Sequence, residues 1–149
     1  MSTTLEQTDT LRVSRHFKAS RERVFAAFST LEAMAAWFGP PGVTVLGDSV
    51  DFRVGGLYRL RVKTPDEVIV VGGTYREITQ PEKLVFTWKW EDDEDWTNVD
   101  SVITVEFHAD GDETELQLTQ IGFPSPESRD RHAHGWGVCF DKMDAYLAA

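Results

Sequence analysis

Residues 125–147 read SPESRDRHAHGWGVCFDKMDAYL, and this stretch decides the fold. Ser125 is suited to cap a helix start, and Pro126 suits the first helical position. Glu127 meets the positive end of the helix dipole. No proline interrupts the run before Leu147. At 1.5 Å per residue the predicted helix is roughly 30 Å long, enough to cross a whole sheet. At 100° per residue, Trp136, Phe140, Met143 and Leu147 fall within about 40° of one line. Such a stripe requires a broad apolar surface opposite it.

The preceding residues supply that surface. Leu84, Phe86, Trp88 and Trp90 alternate along one predicted strand and share a face. Val99, Ser101, Ile103, Val105 and Phe107 share a face of the next strand, and Leu116 and Leu118 a face of the last. Tyr58 and Leu60 share one in an earlier hairpin. Strands are predicted near 43–53, 57–63, 67–78, 82–91, 98–108 and 113–121, after a first strand at Leu11–Lys18. Gly55-Gly56, Pro65-Asp66, Gln80-Pro81 and Asp110-Gly111 supply turns, and Gly72-Gly73 inside a strand suggests a bulge. With no helices between these strands, the sheet must be antiparallel.

Between the first and second strands, Ser20 suits the cap of a short helix bearing Val24, Phe25 and Phe28. Ser29 and Glu32 have capping-box spacing and open a second short helix carrying Leu31, Met34, Trp37 and Phe38. Gly39-Pro40-Pro41-Gly42 ends it. The predicted class is therefore α+β: a curved antiparallel sheet of about seven strands wrapped around a long C-terminal helix, with two short helices after the first strand. Residues 1–10 are expected to be a disordered tail and residues 11–149 one domain, which suits a 149-residue chain.

The bulk composition narrows the partners. The formal charge is −10, which repels phosphate backbones and anionic headgroups, so neither nucleic acid nor a membrane surface is expected as a partner. The start lacks the basic cap and apolar run of a signal peptide, and no apolar stretch is long enough to span a bilayer. Cys139 is the single cysteine, which fits a reducing cytoplasm. Homodimerisation is compatible with the sequence, which gives no interface.

Several catalytic chemistries find no support. Gly47-Asp48-Ser49-Val50 lies in a strand pattern without a nucleophile elbow. No phosphate-cradling glycine loop is present, so no cofactor is expected. Glu91-Asp92-Asp93-Glu94-Asp95 reads as a solvated loop and lacks the spacing of a calcium loop. His132 and His134 point to opposite helix faces, and His16 and His108 stand alone on strands, so no metal site is expected. Cys139 is expected to be a small buried hydrophobe. No catalytic residue is assigned.

A cavity between helix and sheet is expected instead, with apolar walls and few polar groups. Its expected lining is Trp37, Phe38, Tyr58, Leu60, Phe86, Trp88, Trp90, Ser101, Ile103, Leu116, Leu118, Trp136, Phe140 and Met143. Tyr75 is a further polar wall candidate. Arg129 and His132 lie within about 40° of the helix stripe. They are either a surface pair at the helix start or the polar groups of the cavity mouth. At a mouth, Arg129 would hold a carboxylate or phenolate, and His132 would donate a hydrogen bond or act as acid–base. Gly135 and Gly137 each cost about 1 kcal/mol in a helix interior. Close approach of another backbone, or a kink shaping the cavity, would offset that cost.

The order of these elements resembles the helix-grip fold of START domains, birch-pollen-type allergens and polyketide cyclases. Within that superfamily, SRPBCC, the motifs resemble the activator of 90-kDa heat-shock-protein ATPase homologue-like domains. The matching stretches include Ser20-Arg21-Glu22-Arg23-Val24-Phe25, Ala36-Trp37-Phe38-Gly39-Pro40 and Asp51-Phe52-Arg53-Val54-Gly55-Gly56. They continue with Pro81-Glu82-Lys83-Leu84-Val85-Phe86-Thr87-Trp88, and with His134-Gly135-Trp136 ahead of Met143-Asp144-Ala145-Tyr146-Leu147. Val54 departs from the family's usual proline, and the small pair Gly137 and Cys139 would enlarge a cavity. The resemblance implies a hydrophobic cavity that binds a small, largely apolar, aromatic or lipid-like molecule. It also leaves open a polyketide-cyclase or hydrolase-type enzyme in the same cavity, and a stress-related co-chaperone or interaction module with a chaperone partner. The family's eukaryotic co-chaperones carry a separate N-terminal domain that these residues do not contain, which favours ligand binding.

Overall fold

A computed structural model of the chain describes residues 10–39, 43–91 and 93–148. The expected disordered tail lies outside these residues, except Thr10, which opens the first strand. Strand β1 (Thr10–Phe17) leads into helices α1 (Arg21–Ala26) and α2 (Leu31–Trp37). Strands β2 (Thr44–Val50), β3 (Leu57–Lys63), β4 (Val68–Thr79), β5 (Lys83–Trp90), β6 (Ser101–Asp110) and β7 (Glu113–Ile121) follow, and helix α3 (Pro126–Ala148) closes the chain. The strands form one antiparallel sheet in the order β1-β7-β6-β5-β4-β3-β2. Every neighbour but one is a sequence neighbour. The exception is β1 beside β7, which follows from routing α1 and α2 out of β1. This is the helix-grip α+β fold.

Local chemistry explains the helix ends. Ser20 accepts from the Arg23 amide at 3.4 Å. The cap of α2 is Thr30, whose hydroxyl accepts from the Ala33 amide at 3.0 Å, rather than the expected Ser29. Ser29 is diverted because its hydroxyl donates to the Ala26 carbonyl at 2.7 Å. After Trp37, Phe38 turns extended and Gly39 takes φ +90°, while Pro40-Pro41-Gly42 lies outside the described residues. At α3, Ser125 Oγ accepts from the Ser128 amide at 3.1 Å, the expected cap.

The sheet curves through register shifts between Val45 and Gly47 in β2 and between Tyr75 and Glu77 in β4. The β4 shift falls beyond Gly72-Gly73, where a bulge was expected. Those glycines serve close approach instead. A Cβ on Gly72 would stand 2.7 Å from the Tyr58 carbonyl oxygen, and one on Gly73 would meet the Thr87 carbonyl closer still. Strand β6 begins at Ser101, so Val99 precedes it. Just before it, Trp96 folds inward through the short 3-10 turn Glu94–Trp96.

Helix α3 lies in the sheet's concavity. Its stripe of Trp136, Phe140, Met143 and Leu147 is buried as the periodicity requires. Phe140 meets Phe17 edge-on at 5.8 Å and Trp37 at 6.5 Å between ring centroids. On its flank, the Arg15 guanidinium of β1 donates to Asp141 (2.8 Å), Asp144 (2.9 Å) and the Gly137 carbonyl (3.2 Å). These bonds hold the helix against the sheet edge. The C-terminal half of α3, α1 and α2 thereby fill one end of the concavity.

Candidate functional site: an aromatic cleft beside helix α3

The deep interior is nearly solid. Among Phe28, Met34, Trp37, Phe38, Tyr58, Tyr75, Leu84, Phe86, Trp88 and Trp136, the free volume is about 10 Å³. That is about the smallest space able to hold one water. The cavity expected there is thus filled by its own rings, for example Tyr58 against Phe86 at 5.7 Å and Trp88 against Trp136 at 5.2 Å.

The space lies instead at the open end of the fold. A cleft of about 840 Å³ runs between the N-terminal half of α3, the β3–β4 hairpin end and the segment after β5. Helix α3 contributes Ser128, Arg131, His132, Gly135, Trp136 and Cys139. The hairpin contributes Val62, Thr64, Glu67, Val68 and Ile69. Strand β5 and its continuation contribute Trp88, Trp90, Glu91 and Asp93–Trp96, and Phe38, Gly39 and Val43 close the third side.

Of the expected lining, Phe38, Trp88, Trp90 and Trp136 face this cleft, together with His132. Trp37 and Phe86 border the small interior void, and Tyr58 borders both it and a separate groove of about 480 Å³ along β3, β4 and β5. Ser101 borders that groove, while Leu60, Ile103, Leu116, Leu118, Phe140 and Met143 line none of these spaces and are fully buried. They are core because α1 and α2 deliver Phe25, Phe28 and Trp37 into the closed end. Tyr58 donates its hydroxyl to the Thr87 carbonyl at 2.5 Å, and burial raises its pKa. Arg129 does not line the cleft. Its guanidinium bonds Asp130 at 3.0 and 3.2 Å, and its neighbour Arg131 reaches the rim instead.

His132 is held on all sides. Its ring lies among Trp88, Trp90, Trp96 and Phe123, at centroid distances of 6.1, 6.2, 5.3 and 5.2 Å. Nδ1 is 2.7 Å from the Ser128 carbonyl. A carbonyl only accepts, so Nδ1 carries the proton. Nε2 is then the acceptor, and it receives both the Trp90 indole N–H (3.0 Å) and the Trp88 indole N–H (3.3 Å). Burial, with a smaller push from Arg131, lowers the His132 pKa. His132 is therefore a neutral hub with both nitrogens engaged. To move a proton it would first have to release the two indoles.

A second polar chain crosses the core beneath α3. Trp136 Nε1 donates to Gln120 Oε1 at 2.9 Å, and Gln120 Nε2 donates to Ser101 Oγ at 3.0 Å. Gln120 is fully buried. Sequence reasoning passed over it, although the alternation Leu116, Leu118, Gln120 places it on the inward face. Trp96 was hidden by the acid run before it. In that run Glu91 pairs with Arg59 at 2.8 Å, and Asp93 accepts from the Asp95 amide at 3.0 Å. Ser128 was also missed. Its hydroxyl is the buried side-chain oxygen without a hydrogen-bond partner among the described residues, and it lines the cleft. Nothing in a single serine signals that in advance.

Cys139 reaches the cleft too. Its sulfur accepts from the Gly39 amide at 3.2 Å, and burial pushes its pKa up to about 11. Neither helix glycine meets another backbone, contrary to expectation. A Cβ at Gly135 or Gly137 would find no atom within 4 Å. Gly135 borders the cleft, so a side chain there would project into it. Among the described residues no helix is long and apolar enough to cross a membrane.

The chain matches the family described as Activator of Hsp90 ATPase homolog 1-like protein over residues 18–148, and it belongs to that family. No curated protein matches it. Among solved structures it is similar to a Chromobacterium violaceum protein at 26% identity and TM-score 0.85, covering 95% of this chain and 98% of that one. The AHSA1 protein of Silicibacter pomeroyi is 28% identical with TM-score 0.82, covering 93% and 97%. An uncharacterized Rhizobium leguminosarum protein is 27% identical with TM-score 0.80, covering 93% of each chain.

Proposed function

We propose that this member of the Activator of Hsp90 ATPase homolog 1-like family binds a small, largely apolar molecule in the cleft beside α3. The observation that carries the reading is the distribution of space. About 840 Å³ is open at the aromatic end of the concavity, while about 10 Å³ is free in the interior. A volume of that order, with an aromatic wall and a charged rim, suits a drug-sized ligand. Rings from three directions supply the walls: Phe38 after α2, Trp88 and Trp90 from β5, and Trp136 from α3. Hydrogen bonds to His132 and Gln120 fix three of these indoles, so little ordering is left to the ligand.

The test is a panel of aromatic and aliphatic probes followed by melting temperature and by quenching of tryptophan fluorescence. Binding should raise the melting temperature in proportion to ligand excess, by about 2.7 kcal/mol of stability at a hundredfold over Kd. Gly135→Phe, which sets a ring into the cleft, should abolish the effect in a folded protein. Native mass spectrometry of freshly purified protein that never shows a bound molecule, together with a flat probe panel, would remove the reading.

A further inference from the structure

We infer that the cleft is built for a cation: a protonated amine carried on an apolar or aromatic body. This rests on the proposed role of the cleft as a ligand site and adds the ligand's chemical class. Three observations converge on it.

The first is the direction of the indole groups. The N–H edges of Trp88 and Trp90 are both spent on one nitrogen of His132, and that of Trp136 on Gln120. With these donors turned into the protein, what the wall offers a guest is ring, chiefly on the partly exposed Trp90, since Trp88 and Trp136 are buried. Ring faces carry negative potential, and they attract ammonium groups.

The second is charge. Among the described residues, five carboxylates line the cleft, on Glu67, Glu91, Asp93, Glu94 and Asp95, against one guanidinium, on Arg131. Glu91 is neutralised by Arg59. The other four have no ion pair among the described residues. His132, the other basic residue in the lining, is kept neutral by its burial. The field at the mouth is therefore negative and repels the carboxylate or phenolate that Arg129 was expected to hold.

The third is Ser128. Ser128 is 2% exposed and lines the cleft, and its hydroxyl has no partner among the described residues. A buried hydroxyl without a protein partner favours a donor supplied from the cleft. An ammonium N–H supplies one by donating to the hydroxyl oxygen.

The experiment uses one ring system with its head group varied: naphthylmethylamine, its trimethylammonium analogue, naphthalenemethanol and naphthoate. Affinities are measured by calorimetry at low and high ionic strength. The amine should bind roughly tenfold tighter than the alcohol, and naphthoate weakest, with the spread narrowing in salt. Glu67→Gln with Asp95→Asn, both at the rim, should reduce the amine's advantage and leave the alcohol unchanged. Ser128→Ala should weaken the amine roughly tenfold but spare the trimethylammonium analogue, which has no N–H to donate. Naphthoate binding as well as the amine, or an amine no tighter than the alcohol, would overturn the inference while leaving the cleft a ligand site. Failure of all four probes to bind would overturn both.

Discussion

Replacing Gly135 by alanine should make the protein more stable, and the structure gives the amount. Glycine in a helix interior is less favourable than alanine by about 0.8–1.0 kcal/mol, chiefly because the unfolded chain loses more freedom on folding. The gain is normally forfeited where a Cβ collides with something. At Gly135 a Cβ has no neighbour within 4 Å. Nothing subtracts from the propensity term, and Gly135→Ala should gain about 1 kcal/mol, or roughly 2–4 °C in melting temperature for a domain of this size. Gly73→Ala is the internal contrast. There the Cβ is driven into the Thr87 carbonyl, a backbone atom that cannot swing aside, so a loss of about 2–3 kcal/mol is expected. Urea unfolding of both variants, read by tryptophan fluorescence and far-ultraviolet circular dichroism, measures the two signs directly. Because Gly135 borders the cleft, the stability gain should come with weaker probe binding as the side chain grows through Ala to Phe. A Gly135→Ala protein that is less stable than the parent would refute the reasoning, since it would mean that the space beside the helix is occupied.

Three further outcomes follow from the polar network. His132 is held neutral with its pKa lowered from 6.5, so acidification protonates the unfolded chain before the folded one. Its contribution to stability is complete above pH 6.5 and is lost as the pH falls through its folded value. Urea midpoints compared between about pH 7.5 and pH 5 should therefore fall more steeply for the parent than for His132→Gln, with the charge of His16 common to both. Gln120→Leu strips partners from the Trp136 N–H and the Ser101 hydroxyl and should cost about 1–3 kcal/mol in equilibrium unfolding, more than its change in volume would suggest. Cys139, buried with a thiol pKa of about 11, should react with a disulfide reagent only slowly in the native protein and rapidly once denatured, and fast native labelling would contradict the packing at Gly39.

How much of this was legible in the chain depends on which physical rule governed each feature. Periodicity made the architecture readable. The 100° step put Trp136, Phe140, Met143 and Leu147 on the buried line, and alternation put Leu84, Phe86 and Trp88 inside. What periodicity cannot report is whether inward-facing rings meet. Thirty or so core side chains point at one another, yet only their relative depth decides between a filled core and a hollow one. Here the closed end is filled by Phe25, Phe28 and Trp37 arriving from α1 and α2, and the opening is displaced toward the start of α3. The same limit explains Arg129 and Arg131. Both are near the helix start, but the helix angle fixes only where a side chain leaves the backbone, and a long guanidinium then goes to its partner, which for Arg129 is Asp130. His132 shows the limit at its sharpest. Its angle placed it toward the cleft but could not show its bonding, because the two indoles that bind its Nε2 come from β5, more than forty positions earlier in the chain. Residue type and spacing located a titratable group at the cleft. Only the fold could show that its lone pair was already taken, and that acidic side chains and a Ser128 hydroxyl with no partner among the described residues lie beside it.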